Sequence, residues 1–184
     1  MSYCHVARDH PVHGPYHDRE YGFPVADERV LFERLVLEIN QAGLSWLTIL
    51  KRREGFRAAY AGFDLQRVAR FTGHDRRRLL GDPGIIRNRK KIDAAIENAR
   101  RILALGPFAA WLESNHPLPK DEWVRLFRST FVFTGGEITG SFLISIGYLP
   151  GAHDESCPVY RRISRLRPPW MRADRQRHPR GSAT

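Results

Sequence analysis

The fold is decided by residues 79–92, Leu79-Leu80-Gly81-Asp82-Pro83-Gly84-Ile85-Ile86-Arg87-Asn88-Arg89-Lys90-Lys91-Ile92, which predict two helices joined by a tight turn. Glycine and proline at the centre of this stretch end the first helix and form the turn. Such a turn brings backbone N–H groups and the N-terminus of the second helix to the surface, where they can bind phosphate oxygens. Four cations that can add to this phosphate binding follow Gly84 in the sequence, namely Arg87, Arg89, Lys90 and Lys91. The alternative is an ordinary helix pair that turns on Pro-Gly and happens to carry basic residues.

The other periodic segments are also helical, so the predicted fold class is all-α. Asp27 is a good N-cap for a helix whose apolar face includes Leu31, Leu35 and Ile39. The clearest amphipathic pattern comes after the hairpin, at Ile92, Ala95, Ile96, Ala99, Ile102 and Leu103. We expect one compact domain over residues 1–160, beginning with an irregular arm over residues 1–25. Residues 161–184 are rich in arginine and are expected to form a loosely ordered basic tail.

Composition indicates a polyanionic partner. The chain has 184 residues, enough for one domain with its own core, and a formal net charge of +10. Most of its cations are arginines, which bind phosphate in a bidentate manner. The alternative is that arginine simply coats the surface. The sequence contains no apolar run of about 20 residues and no signal-peptide core at its N-terminus, so we expect a cytoplasmic protein without a membrane partner.

Cysteine and histidine at the two ends of the chain predict a metal site. Cys4 and Cys157 are the two cysteines, and a disulfide between them would be unusual in a reducing cytosol. His17 follows Cys4 by thirteen positions, and His153 precedes Cys157 by four. Two thiolates and two imidazoles would fill a closed tetrahedral zinc site that joins the ends of the domain. Other histidines could compete as ligands, namely His5, His10 and His13, and the four residues could also be unrelated.

A candidate binding pocket is predicted at Glu38-Ile39-Asn40-Gln41-Ala42-Gly43-Leu44-Ser45-Trp46, where an acid, two amides and a tryptophan lie at a helix end. Glu38 falls on or beside the apolar face of its helix, where an acid is rarely buried without a partner. Leu44 and Trp46 are also compatible with ordinary core positions.

Taken together, these stretches resemble the bacterial 3-methyladenine DNA glycosylase I family of the helix-hairpin-helix superfamily. The resemblance covers nearly the whole chain to about residue 160. It rests on four segments that occur in the family's order: Tyr16-His17-Asp18-x-Glu20-x-Gly22, Gln41-Ala42-Gly43-Leu44-Ser45-Trp46, Gly84-Ile85-Ile86-Arg87-Asn88-Arg89, and His153-x-x-x-Cys157.

The resemblance implies a monomeric enzyme that flips 3-methyladenine, or a related alkylated base, out of double-stranded DNA and hydrolyses its N-glycosidic bond. It implies that Tyr16, Glu38 and Trp46 bind the base, with Glu38 as the catalytic residue. Cation–π attraction to the aromatic rings suits a base that carries a positive charge. The implied DNA contacts are Gly43, Leu44, Gly84, Arg87, Arg89 and Lys90, with Leu44 as a wedge in the base stack. The implied structural zinc ligands are Cys4, His17, His153 and Cys157.

Some positions depart from the family's usual residues and are expected to touch the pocket lining, which leaves the lesion range open: Val6, His13, Tyr21, Ile39 and Asn40. Asn88 stands near the position where bifunctional relatives carry a Schiff-base lysine, so lyase activity is not expected. Two other classes of function are alternatives. The first is a non-catalytic hairpin protein that senses damage, and the second is a small metal-stapled scaffold whose basic surface binds RNA.

Overall fold

The computed structural model describes residues 2–172, and all of its regular secondary structure there is helical. This confirms the predicted all-α class. The described residues include twelve α-helices of at least five residues and one short 3₁₀ helix over Ala61–Phe63. The α-helices are α1 Tyr3–Ala7, α2 His13–Arg19, α3 Glu28–Gln41, α4 Trp46–Lys51, α5 Arg53–Ala59, α6 Leu65–Ala69, α7 Gly73–Gly81, α8 Arg89–Leu105, α9 Phe108–Ser114, α10 Lys120–Thr130, α11 Gly136–Ser145 and α12 Pro158–Leu166.

Helix α3 is the central element of the core. Its predicted N-cap is confirmed, because the Asp27 carboxylate accepts hydrogen bonds from the backbone N–H groups of Arg29 and Val30. Residues 31–40 are all buried, and the helix packs against α8, α9 and α11. A helix buried on every side desolvates its polar residues as well as its apolar ones. The four polar residues in this buried stretch are Glu33, Arg34, Glu38 and Asn40.

An ion-pair cluster ties α3 to the end of α2 and to α5. Arg53 contacts Glu20 at 2.7 Å and Glu33 at 2.8 Å, Arg34 contacts Glu20 at 2.8 Å, and Arg57 contacts Glu33 at 2.8 Å. Burial alone would raise the pKa of both acids, but hydrogen bonds and charge from the arginines hold each pKa below its ordinary value. Both carboxylates are therefore ionised at neutral pH and fix the orientation of the guanidinium groups.

The predicted hairpin consists of α7, a turn over residues 82–88, and α8. Asn88 is the N-cap of α8, and its side-chain oxygen accepts a hydrogen bond from the backbone N–H of Lys91. The turn packs directly on α5, because a Cβ on Gly55 would lie 2.9 Å from the carbonyl carbon of Gly84. Only glycine in α5 allows this approach, so the hairpin is held against the rest of the domain.

Both ends of the chain are more regular than the sequence predicts. The arm over residues 1–25 contains α1 and α2, which are too short to show a hydrophobic period and are marginal as isolated helices. They are held by tertiary contacts around buried residues such as Cys4, Ala7 and Tyr16. Helix α12 continues to Leu166 and buries Ile163, so it includes the first residues of the predicted tail. The tail's last twelve residues, 173–184, lie outside the described residues. No helix within residues 2–172 is long and apolar enough to cross a membrane.

Candidate functional site

Glu38 lies in the last turn of α3, and its side chain is almost completely buried, with 5% exposed. Burial raises the pKa of its carboxyl to about 8, and the nearby charge of Arg34 opposes this rise. No hydrogen bond to the Glu38 side chain is recorded among the described residues. An acid desolvated in this way is destabilised in its charged form, and a cation placed beside it would relieve that cost.

A small cavity opens on the Glu38 carboxyl. Its volume is about 190 Å³, below the range of about 300–1,000 Å³ typical of sites for drug-sized ligands. Its walls are Tyr3, Tyr21, Glu38, Gln41, Trp46 and Ser141. Three aromatic rings and one carboxyl therefore surround a space suited to a single flat heterocycle. The sequence predicts Glu38, Gln41 and Trp46 in this wall, but it does not predict Tyr3 or Ser141.

Tyr16 lies behind the cavity wall. Its ring is 2% exposed and meets the Trp46 ring edge-on, with centroids 5.3 Å apart. Its hydroxyl accepts a hydrogen bond of 2.9 Å from Arg34, which is itself buried. Tyr16 therefore packs against Trp46, and the Tyr21 ring lies 5.7 Å from the Tyr16 ring. Tyr16 is not among the residues that line the cavity.

The loop after α3 presents Leu44 beside the cavity. Gly43 has a φ of 80°, a left-handed conformation that glycine adopts without strain. The Leu44 N–H donates to the carbonyl of Gln41 at 2.7 Å, and the Gln41 amide donates to the carbonyl of Leu44 at 2.8 Å. The Leu44 side chain is 38% exposed although it is a large apolar group. The loop is therefore braced by two hydrogen bonds and holds a large apolar side chain partly in solvent.

Three of the predicted hairpin cations face solvent, whereas the fourth does not. Arg87, Arg89 and Lys90 are exposed at the start of α8. Lys91 is buried, and its ammonium donates to the carbonyls of Asn40 at 2.8 Å and Ala42 at 2.6 Å. The expectation that Lys91 adds charge for phosphate is therefore wrong, because its ammonium is hydrogen-bonded to backbone carbonyls at the C-terminus of α3. It links the hairpin to the loop that carries Leu44.

The Gly84 N–H does not point to solvent as the turn pattern predicts. It donates to the Asp82 carboxylate at 2.7 Å, which closes the turn internally. The N–H groups of Arg89 and Lys90 are the first two of α8 and have no acceptor within their own helix. Phosphate donors at the hairpin are therefore expected at the start of α8, beside the exposed cations, rather than at Gly84.

The four predicted metal ligands come together. The Cys4, His17, His153 and Cys157 ligand atoms all lie within 4.8 Å of one another, and all four residues are buried. The sulfur–nitrogen separations are 3.7 Å for Cys4–His153, 3.8 Å for Cys157–His17 and 3.8 Å for Cys157–His153, and the two histidine nitrogens are 3.1 Å apart. None of the competing histidines belongs to this cluster.

These separations fit a tetrahedral zinc ion. Zinc bonds of about 2.3 Å to sulfur and about 2.05 Å to nitrogen place sulfur and nitrogen about 3.5 Å apart, and two nitrogens about 3.3 Å apart. The outer nitrogens of both rings also have partners: His17 Nδ1 contacts the Asp18 carboxylate at 2.7 Å, and His153 Nε2 contacts the carbonyl of Tyr21 at 2.7 Å. Such partners fix the tautomer that presents the other nitrogen to a metal.

Comparisons with known proteins match this chain to one family. A family model described as methyladenine glycosylase matches residues 6–123, a segment that contains α3, the Leu44 loop and the hairpin. The chain belongs to this family. DNA-3-methyladenine glycosylase 1 of Escherichia coli K12 is 44% identical over 122 residues, which are 63% of this chain and 65% of the relative. The Haemophilus influenzae DNA-3-methyladenine glycosylase is 40% identical over 102 residues, 55% of each chain. The chain therefore aligns with less than two thirds of either curated relative.

Solved structures of the glycosylase family extend the match. The structure of 3-methyladenine DNA glycosylase I from Staphylococcus aureus, solved to explain 3-methyladenine recognition, superposes with a TM-score of 0.77 at 34% identity. The superposition covers 86% of this chain and 96% of that one. The fold of the family is therefore present beyond the segment that the sequence comparison aligns.

Few of the residues that depart from the family's usual choices reach the cavity. Tyr21 is in the cavity wall, but Val6 is 44% exposed outside it, and Ile39 is in the core. Asn40 is buried and donates its amide to the carbonyl of Val36. His13 reaches the cavity only indirectly, through its contact with Tyr3. The interpretation that all these departures alter the cavity lining is therefore wrong for Val6, Ile39 and Asn40.

Proposed function

We propose that this protein is a DNA base-excision glycosylase that flips 3-methyladenine, or a closely related alkylated base, out of duplex DNA and hydrolyses its N-glycosidic bond. The observation that carries the proposal is that the desolvated Glu38 carboxyl lines a small cavity. The aromatic rings of Tyr3, Tyr21 and Trp46 form other walls of the same cavity. The names of the relatives and of the structural neighbours support the same activity.

The cavity fits a cationic base. An adenine alkylated at N3 within DNA carries a positive charge, which weakens its bond to the sugar. Aromatic faces attract such a cation, and its charge makes ionisation of Glu38 favourable again. In the proposed reaction water attacks C1′ of the sugar, and the bond between C1′ and the base breaks. The electron pair of that bond neutralises the base, and the proton of the water is released. Glu38 binds the base edge and offsets its charge, so strong acid catalysis is not needed.

The proposed DNA contacts lie on two neighbouring elements. Arg87, Arg89 and Lys90 supply exposed charge at the start of α8, and Leu44 fills the gap that the flipped base leaves. Gly84 contributes through the close packing of the turn. Asn88 uses its side chain to cap α8 and offers no amine for a Schiff base, which supports activity without lyase chemistry. We propose a monomer that acts on double-stranded DNA in the cytoplasm.

A structural zinc ion belongs to the same proposal. Cys4 and His17 come from α1 and α2, and His153 and Cys157 come from the segment before α12, so the ion would join the two ends of the domain. Four protein ligands leave no position for water, and the ion would add stability without taking part in the reaction. Elemental analysis of the purified protein should find about one zinc ion per chain. A metal-free protein of full stability would contradict this part of the proposal.

Release of free base from methylated duplex DNA tests the activity. We expect chromatography to detect 3-methyladenine and electrophoresis to show strand breaks only after the abasic sites are cleaved with alkali. Glu38→Gln should reduce release far more than it reduces binding to undamaged duplex. If duplex binding were intact but no base were released under any condition, the protein would be a damage sensor. Tighter binding to single-stranded RNA than to duplex DNA would favour the RNA-binding alternative.

A further inference from the structure

Tyr3 forms a wall of the cavity that the family's sequence pattern does not predict. It is the first residue of α1, and its ring lines the same cavity as Glu38 and Trp46. The ring is partly exposed, unlike the buried Tyr16, and meets the Tyr21 ring edge-on at 5.1 Å. Tyr3 is therefore positioned to touch a base in the cavity.

A hydrogen bond to His13 holds this ring in place. The Tyr3 hydroxyl lies 3.0 Å from Nδ1 of His13, and the two rings meet edge-on with centroids 5.5 Å apart. Burial lowers the pKa of His13, and His10 lowers it further. A protonated phenol and a neutral imidazole are the forms in which the hydroxyl donates to Nδ1.

His13 is fixed from its other side. Its ring meets the His10 ring with centroids 4.6 Å apart. Nδ1 of His10 accepts hydrogen bonds of 3.1 Å from the backbone N–H groups of Val12 and His13, which orients the His10 ring. The turn between α1 and α2 therefore holds His13 rigidly, and His13 holds Tyr3. The Tyr3 ring is held by α1 at its backbone and by His13 at its hydroxyl, which disfavours the rotation that would admit a larger ligand.

We propose that Tyr3, positioned by His13, is a specificity-determining residue that limits the size of the alkyl group accepted beside Glu38 and Trp46. The inference rests on the proposed glycosylase function and goes beyond it by naming what restricts the lesion. A pocket discriminates against one extra methylene group by about 10–200-fold. The wild-type site should therefore prefer a 3-methylated adenine over a 3-ethylated one, and loss of the Tyr3 ring should remove much of that preference.

The experiment measures the ratio of the dissociation constants for free 3-methyladenine and 3-ethyladenine by isothermal titration calorimetry. Tyr3→Ala should shift this ratio toward the ethyl compound by on the order of tenfold. Tyr3→Phe keeps the ring but removes the tether, and His13→Phe removes the acceptor, so both should give smaller shifts in the same direction. Val6→Ala is the matched control, because Val6 is an exposed residue of α1 outside the cavity.

Metal content and thermal unfolding are measured for each variant, because Tyr3 adjoins the metal ligand Cys4. An unchanged ratio in folded Tyr3→Ala would overturn the proposal. If that variant does not fold, unchanged ratios in both Tyr3→Phe and His13→Phe would overturn it. The base-release assay with wild-type protein separates the two hypotheses. Shifted binding ratios without any release of base from methylated DNA would support the role of Tyr3 and contradict the glycosylase activity. Release of base with unchanged ratios would support the glycosylase activity and contradict the role of Tyr3.

Discussion

Replacing Glu38 with glutamine should stabilise the fold while it impairs the site. The carboxyl has an ordinary pKa of 4.5 and a pKa of about 8 in the folded protein, because burial disfavours its charged form. Between these values the unfolded chain ionises Glu38 and the folded protein does not. The stability that Glu38 contributes is therefore fully present below pH 4.5 and is lost as the pH rises through 8. Glutamine does not ionise, so the variant escapes this loss.

The size of the effect follows from the two pKa values of Glu38. The loss for the wild type is below about 1 kcal/mol at pH 5, about 3 kcal/mol at pH 7, and at most about 5 kcal/mol well above pH 8. Relative to the wild type, Glu38→Gln should therefore gain free energy of unfolding as the pH rises. These figures are of the order of half the stability of an ordinary domain, so the difference is measurable.

Urea unfolding of both proteins between pH 5 and pH 8.5, with metal in excess, tests this prediction. Comparison at each pH cancels the titration of the metal ligands, which the two proteins share. Glu122→Gln is the control, because that acid is exposed on α10. A difference in unfolding free energy between wild type and Glu38→Gln that does not change with pH would refute the raised pKa.

Base release by the wild type should also increase toward pH 8 as Glu38 ionises.

Three further predictions concern the hairpin. Replacing Arg87 and Arg89 with alanine should make the slope of log affinity for duplex DNA against log salt shallower by about two, and an unchanged slope would place the phosphate contacts elsewhere. Lys91→Met should lower the free energy of unfolding in urea by about 2–3 kcal/mol, because two carbonyls lose a charged donor, whereas the exposed Lys90→Met should cost little. Gly55→Ala should weaken duplex binding in a fluorescence titration, because the added methyl group pushes the hairpin turn outward, and wild-type affinity would contradict that packing.

The hairpin and α3 were predictable because their signals are local. Asp27 caps α3 with its own side chain, and the Gly-Asp-Pro-Gly sequence ends α7 through backbone preferences that neighbouring residues hardly alter. The metal cluster was predictable for another reason, since cysteine and histidine have few roles in common other than binding metal. Their meeting, from residues 4 and 157, depended on the whole fold.

The cavity wall depended on tertiary structure. Tyr3 lies in a five-residue helix with no visible period, and only the packing of α1 against α2 brings its ring into the same cavity as Glu38. Lys91 looks like a fourth phosphate ligand in the sequence, but the close approach of α8 to α3 buries it against two carbonyls. Residue type and spacing decide which chemistry is available, because they are local properties of the chain. Which side chain faces the base and which supports the fold is decided by long-range packing, which brings distant segments together and removes water from some polar groups and not others.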